Sequence, residues 1–314
     1  MIQDDRCDLD FLSRRIHLVT GKGGVGRTTI AAALAEAAAR LGKRVLLTEI
    51  GDPEGGYSAI GRKFDRDRLT PDPQPLGPPG LSACHVWAAR GHELFAHSVV
   101  PAGPLIRAAL RSRTLRRFVA AIPSLYELGL FFHLLTLLKS ENDRGEPEHE
   151  IIVADMPATG QTLALTSLPE ILLDALPDGP IPRSMREGQA YLNDPAKGLA
   201  WVVTLPEPLP TSEALELIDG LRQTHVHPGG LILNRFPADP FDREERRALE
   251  SWMAERPVHG ELAFRQIGAA ASARARLEAE ADLPILTLPD LEDASMRAHR
   301  LALTERLARW MDPG

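Results

Sequence analysis

Cysteine is almost absent from this chain: Cys7 and Cys84 are the only two in 314 residues. They lie far apart and neither has a C-x-x-C companion, which argues against a disulfide framework or a zinc site. A reducing cytoplasm is the expected compartment. A run long enough to cross a bilayer is missing too. The most apolar stretch, Leu128 to Leu138, is about half the ~20 residues required, and reads as either a buried helix or a greasy binding surface. The first residues carry acids where a secretory signal would carry a basic and then an apolar segment, so export by that route is not expected. Excess positive charge is lacking: the net charge of −7 gives no overall pull toward nucleic acid or anionic lipid. None of the ten histidines stands at an H-x-x-x-H spacing, and no metal chemistry is assigned to them. There is no internal repeat and no low-complexity tract.

Apolar residues, by contrast, make up 44% of the chain. That is enough for a large core, in one α/β domain with an elaborated insert or in two domains. Apolar runs fall at Ile16 to Thr20, Val45 to Ile50, Cys84 to Ala88, Ile151 to Asp155, Trp201 to Leu205, Leu231 to Asn234 and Ile285 to Leu288. Helical patterns begin after Thr28 and near Thr162, Ser212, Asp242, Gly268 and Glu292. Continuous apolar strands separated by helices predict a doubly wound α/β fold with a mostly parallel sheet of about seven or eight strands. Thr70 to Gly80, with five prolines and two glycines, reads as a surface loop; Glu141 to Glu150 reads as a charged one. Residues from about 91 to 139 form helices that a simple strand-helix-strand unit does not need. They are taken as a helical insert within a single domain spanning 1–314. Inside it, Leu105 to Phe118 interleaves Arg107, Arg111, Arg113, Arg116 and Arg117 with Leu110 and Leu115, a solvated arginine face or a dock for an acidic partner or lipid surface.

The most specific signal is residues 16–29, Ile-His-Leu-Val-Thr-Gly-Lys-Gly-Gly-Val-Gly-Arg-Thr-Thr, a strand that runs into a glycine-rich loop. In the G-x-x-x-x-G-K-[ST] pattern, backbone N–H groups curl around phosphates, a lysine reaches the terminal oxygens and a hydroxyl holds Mg²⁺. Gly21, Gly26 and Thr28 keep that pattern, with Gly23, Gly24 and Val25 inside the loop and Thr29 following it. A nucleoside triphosphate with Mg²⁺ is the expected ligand. Arg27 stands where the lysine belongs. A guanidinium is longer, planar and forked, so hydrolysis should suffer more than binding. Losing one well-placed transition-state donor costs about 3–4 kcal/mol, or ~10²- to 10³-fold in rate. The run ending at Asp155 places an acid where phosphate-loop enzymes hold their Mg²⁺ shell, although a strand-end Asp also serves as a turn or cap residue.

Lys22, directly after Gly21, is extra to the generic loop and resembles the signature lysine of the deviant phosphate-loop ATPases. The stretch Met-Pro-Ala-Thr-Gly-Gln-Thr-Leu that follows Asp155 resembles the Asp-x-Pro-x-Thr-Gly-His-Thr-Leu element of the arsenite-pump-driving and tail-anchored-protein-targeting ATPases. The stretch from Val202 to Glu213 resembles that family's Val-Thr-x-Pro-Glu-x-x-x-x-x-Glu element. On these residues the chain is identified as a member of that family, over nearly its whole length. The resemblance implies an ATP- and Mg²⁺-dependent ATPase that works as a dimer, with Lys22 reaching the partner's nucleotide. It implies that Asp155 and Thr28 hold Mg²⁺, that Gly160 offers its N–H to the γ-phosphate, and that Asn234 contacts adenine, where an amide can pair with N6 and N7. An Asp-Pro opens the family's first switch, and Asp52, displaced by one residue through Gly51, takes the water-activating role; Glu49 is the weaker candidate and a plain turn the alternative. Gln161 stands where the family has histidine. With no cysteine cluster to bind As(III) and no zinc clasp, neither an arsenite site nor a zinc site is expected. The partner is a second copy or a paralogous ATPase with an intact loop, and the client a membrane protein or pump. The alternative is a catalytically weak, nucleotide-gated adaptor in a heterodimer.

Overall fold

The computed structural model describes residues 11–51, 57–99, 125–175, 178–255, 259–291 and 295–312. Eight strands form one sheet: β1 (Ile16–Gly21), β2 (Val45–Ile50), β3 (Gln74–Pro75), β4 (Leu81–Val86), β5 (Ile151–Asp155), β6 (Gly198–Thr204), β7 (Pro228–Phe236) and β8 (Ile285–Pro289). Their order is β3-β4-β2-β5-β1-β6-β7-β8. Every neighbouring pair is parallel except β3, which runs antiparallel along β4. The helices are α1 (Arg27–Arg40), α2 (Ala59–Lys63), α3 (Ala88–Val99), α4 (Leu125–Leu138), α5 (Thr159–Ala175), α6 (Pro180–Leu192), α7 (Pro208–Gln223), α8 (Arg243–Glu255), α9 (Glu261–Glu280) and α10 (Met296–Met311).

Because successive strand side chains point to opposite faces, strands buried on both sides divide their residues between two cores. Ile16, Leu18, Ile152, Ala154, Ala200 and Val202 pack under α4, α5, α6 and α7. Val19, Ile151, Val153, Leu199, Trp201 and Val203 pack under α1, α2 and α10. This is the doubly wound arrangement that the continuous apolar runs predict. Helix α1 lies deepest: every residue from Ile30 to Ala39 is buried, and its alanines let the sheet and α10 approach it closely. Glu36, itself buried, is ion-paired to Arg40 and to Arg300 of α10, while the Arg300 Nε donates to the Lys63 carbonyl at 3.1 Å. The helix behind the phosphate loop is thereby fixed to α10 and α2 by paired charges.

Several boundaries differ from the sequence reading. Strand β4 starts at Leu81 and ends at Val86, and Ala88 opens α3 instead of closing the strand. The proline-rich stretch contributes β3, and α9 begins at Glu261, well before Gly268. Helix α6 opens with prolines in its first turn, where no intrahelical N–H partner is needed; the same prolines disguise it as a loop in the sequence. Helices α3 and α4 lie in the crossover from β4 to β5 and meet at Gly91 and Gly129, where a Cβ on Gly91 would stand 1.7 Å from the Gly129 carbonyl oxygen. Ten of the 14 residues of α4 are buried, Phe131, Phe132, Leu134 and Leu135 among them, so the Leu128–Leu138 stretch is a buried helix. No helix among the described residues is long and apolar enough to cross a membrane. The arginine-rich stretch 105–118, Cys7 and Asp52 lie outside the described residues.

Candidate functional site

In open α/β sheets ligands bind beyond the carboxyl ends of the strands, where the connections turn in opposite directions. Here β1 sends the chain toward β2 through α1, while β6 beside it sends the chain toward β7 through α7. The glycine-rich loop follows β1, so it opens onto that crevice. Its backbone geometry explains its glycines. Gly21 has φ 148°, and a Cβ there would lie 2.3 Å from the Val203 carbonyl oxygen of β6. Gly26, at the start of α1, has φ 98°, and a Cβ there would meet Asn234 Nδ2 at 2.5 Å. Gly23 and Gly24 face open space, and Val25 is buried in the core beneath. Among the described residues no side chain caps the first turn of α1. A helix start with uncapped N–H groups in a glycine loop is a ready-made seat for anions.

Thr28 and Asp155 meet below this seat. The Thr28 hydroxyl donates to Asp155 Oδ2 at 2.6 Å, and Asp155 Oδ1, buried, has no partner among the described residues. Burial pushes the Asp155 carboxyl up to about 7; the Glu49 carboxylate adds to that, while the Thr28 hydroxyl and the Arg27 guanidinium oppose it. Such a group gains from a nearby cation. Hydroxyl and carboxylate oxygens are hard donors of the kind Mg²⁺ selects, and Mg²⁺ characteristically takes only one or two carboxylates and keeps waters. The residues present therefore fit Mg²⁺.

Arg27 leans across the loop. Its Nη1 donates to the carbonyls of both Met156 and Pro157, just past Asp155. Burial lowers its pKa and Asp155 raises it; an arginine so placed stays cationic. Thr29 continues the helix, its N–H bonded to the Gly26 carbonyl at 3.0 Å. Gly160 sits in the exposed first turn of α5 with nothing within 4 Å of where a Cβ would stand. Lys22 is half-exposed and ion-paired within its own chain to Glu213 of α7. The sequence places Glu213 in a recognisable element but gives it no role.

Two further residues differ from expectation in what their atoms do. Asn234 is buried, and its Nδ2 donates to the Val25 carbonyl at 2.8 Å, leaving Oδ1 without a partner among the described residues. Pairing with adenine N6 and N7 needs both amide atoms; in this conformation only Oδ1 is free. Glu49 is a capping residue: its carboxylate accepts from Ser58 Oγ at 2.5 Å, from Ala59 N at 3.0 Å and from Ile60 N at 3.2 Å, at the start of α2. A cap of this kind shows in sequence only once the helix start is known.

The family model described as anion-transporting ATPase matches residues 14–178 of this chain. Its range contains the loop, Asp155 and Gly160. ATPase BagA of Mycobacterium tuberculosis is 29% identical over 250 residues, which is 75% of this chain and 69% of its own. An arsenical pump-driving ATPase of Escherichia coli is 29% identical over 238 residues, 72% of this chain and 36% of that one. An ATPase GET3 of Malassezia globosa is 30% identical over 169 residues, 54% and 46% of the two chains.

Proposed function

The chain belongs to the anion-transporting ATPase family and is an ATPase of the phosphate-loop class; on that premise we propose that it binds ATP with Mg²⁺ in the crevice over β1 and β6 and works as a dimer on a client or membrane partner. The observation that carries the reading is the Thr28 hydroxyl bonded to a buried, half-satisfied Asp155 beneath an uncapped helix start. Main-chain amides from Gly21 to Thr28 hold the phosphates, and Thr28 with Asp155 holds Mg²⁺, which supplies charge neutralisation at the phosphates. Gly160 offers its N–H to the γ-phosphate. Asn234 accepts one hydrogen bond from the adenine amino group through Oδ1. Asp52 activates the attacking water, and Glu49, committed to capping α2, does not. Lys22 leaves Glu213 to reach the nucleotide of a partner subunit, which is a second copy of this chain or a paralogous ATPase.

Hydrolysis is slow, because the compact lysine charge is replaced by a guanidinium already bonded to backbone carbonyls. The same bonds favour the second reading, a nucleotide-gated adaptor paired with an intact paralogue. Calorimetry with MgATP on the wild type and on Thr28→Ala tests the core of the proposal. Binding that weakens at least tenfold in the variant supports it; no heat from the wild type at millimolar nucleotide sinks it. Steady-state ATPase of the wild type and Asp52→Asn then separates the readings, since an adaptor has no turnover that depends on Asp52.

A further inference from the structure

Arg27 replaces a lysine at a position that touches phosphate, yet in this structure its bonds go to backbone. One nitrogen, Nη1, serves both the Met156 and Pro157 carbonyls. A guanidinium has five N–H donors in a fixed fork, and among the described residues no acceptor meets the Arg27 Nε and Nη2 hydrogens. The segment Arg27 grips is built into the end of β1. Met156 N donates to the Val19 carbonyl at 3.0 Å. The buried Thr162 hydroxyl donates to the Pro157 carbonyl at 3.0 Å and accepts from the Thr20 hydroxyl at 3.2 Å. The amides of Gln161 and Thr162, in the first turn of α5, both bond the Ala158 carbonyl. Two carbonyls beyond Asp155 thus form the hinge of a small network that leads from the phosphate loop into α5.

We propose that Arg27 is a positioning residue with two working edges, its Nη1 edge holding Met156 and Pro157 and its free edge taking an oxygen of the terminal phosphoryl group of a bound nucleoside triphosphate. The inference rests on the nucleotide reading above and deepens it. An ammonium is a single point charge with rotatable donors, whereas a planar fork fixes the direction of one edge relative to the other. A phosphoryl group that draws in the free edge therefore orders the carbonyls on the opposite edge, and α5 with them. The nucleotide's third phosphate is thus reported to Met156 and Pro157 through the Arg27 side chain, beside the contact that Gly160 makes through its own N–H. Charge-assisted hydrogen bonds are about twice as strong as neutral ones, so the free edge prefers phosphate over any neutral acceptor nearby.

Hydrogen exchange on the full chain tests this without any turnover. In the wild type, MgATPγS is expected to slow exchange in residues 156–165 by roughly tenfold, the scale of one added charge-assisted hydrogen bond, and MgADP is expected not to. Arg27→Lys should bind MgATPγS, seen by calorimetry, yet show clearly less slowing than the wild type, keeping only the part that the Gly160 contact supplies; without nucleotide its 156–165 segment should exchange faster than in the wild type. Equal protection by MgATPγS and MgADP in the wild type overturns the inference, and that arm needs no variant. Protection of Arg27→Lys by MgATPγS to the wild-type extent overturns it as well. Absence of nucleotide binding by the wild type would overturn both the inference and the reading beneath it; binding with unchanged exchange overturns the inference alone.

Discussion

The carboxyl tips of β5 and β7 and the middle of β1 and β6 both bury polar groups, but they treat them differently. In the middle, His17 is fully buried and stacked on Phe11, its Nδ1 accepts from Trp201 Nε1 at 3.0 Å and its Nε2 bonds the Phe11 carbonyl at 2.9 Å. Those partners fix a neutral ring, protonated on Nε2, whose pKa burial depresses to about 3. At the tips, Asp155 and Asn234 each keep a buried oxygen with no partner among the described residues. Most buried polar groups in native proteins are paired. Under the nucleotide reading proposed above, these two oxygens are the ones that Mg²⁺ and the adenine amino group take. Glu49 sharpens the contrast. It pairs in register with Asp155 across β2 and β5, yet three donors satisfy it.

The largest expected effect lies at the tips. Asp155→Asn should cut MgATP-dependent turnover by more than about 10²-fold while leaving thermal stability unchanged or slightly raised, because a buried carboxyl with one unpartnered oxygen contributes little to folding. A parallel loss of activity and of several degrees in Tm would erase the distinction between site and core. In the middle, His17→Ala should cost about 3–5 kcal/mol, combining a cavity with an unpartnered Trp201 N–H, and the specific activity of the folded fraction should hold. The pH dependence has a definite sign. The unfolded chain takes a proton on His17 near pH 6.5, the folded one only near 3, so stability falls as pH drops through that window. The loss approaches about 1.4 kcal/mol per pH unit, and His17→Gln should flatten a urea-monitored stability profile by that increment. Between the two regions, Glu49→Gln should cost about 1–2 kcal/mol through the cap of α2 and change turnover by no more than a few-fold. Activity lost as fully as in Asp155→Asn, with stability intact, would make Glu49 the water-activating carboxylate in place of Asp52.

The same contrast divides what the sequence reveals. The doubly wound sheet is legible because strands buried on both faces must be continuously apolar: the runs of β1, β2, β5 and β8 match their strands to within a residue, while β6 starts at Gly198, three residues before the run read there. The loop is legible because Gly21 and Gly26 have no alternative: carbonyl and amide atoms stand where a Cβ would be. Helix α6 is hidden by the prolines that begin it, and α2 by its brevity. Side-chain commitments are hidden more deeply, since nothing local tells that Glu49 caps a helix, that Asn234 spends its Nδ2 on Val25, or that Arg27 reaches Met156 and Pro157. Each of these bonds joins segments distant in sequence, or depends on a helix start that only packing defines.

The smallest expected effect concerns a pair that belongs to neither region. Lys22 and Glu213 are partly exposed, and surface ion pairs contribute about 0–1 kcal/mol. Glu213→Gln should therefore leave Tm within experimental scatter. If Lys22 serves a partner's nucleotide, however, the free energy of releasing it from Glu213 is charged against dimer formation, and the variant avoids that cost. A gain of up to 1 kcal/mol corresponds to about fivefold in an association constant, so sedimentation with MgATPγS should show a dimer forming at lower protein concentration in Glu213→Gln than in the wild type. Lys22→Ala should abolish the nucleotide dependence in the same experiment. A weaker dimer in Glu213→Gln would mean that the carboxylate itself lies in the interface, and that Lys22 and Glu213 act there as a pair and not as a lysine and its holder.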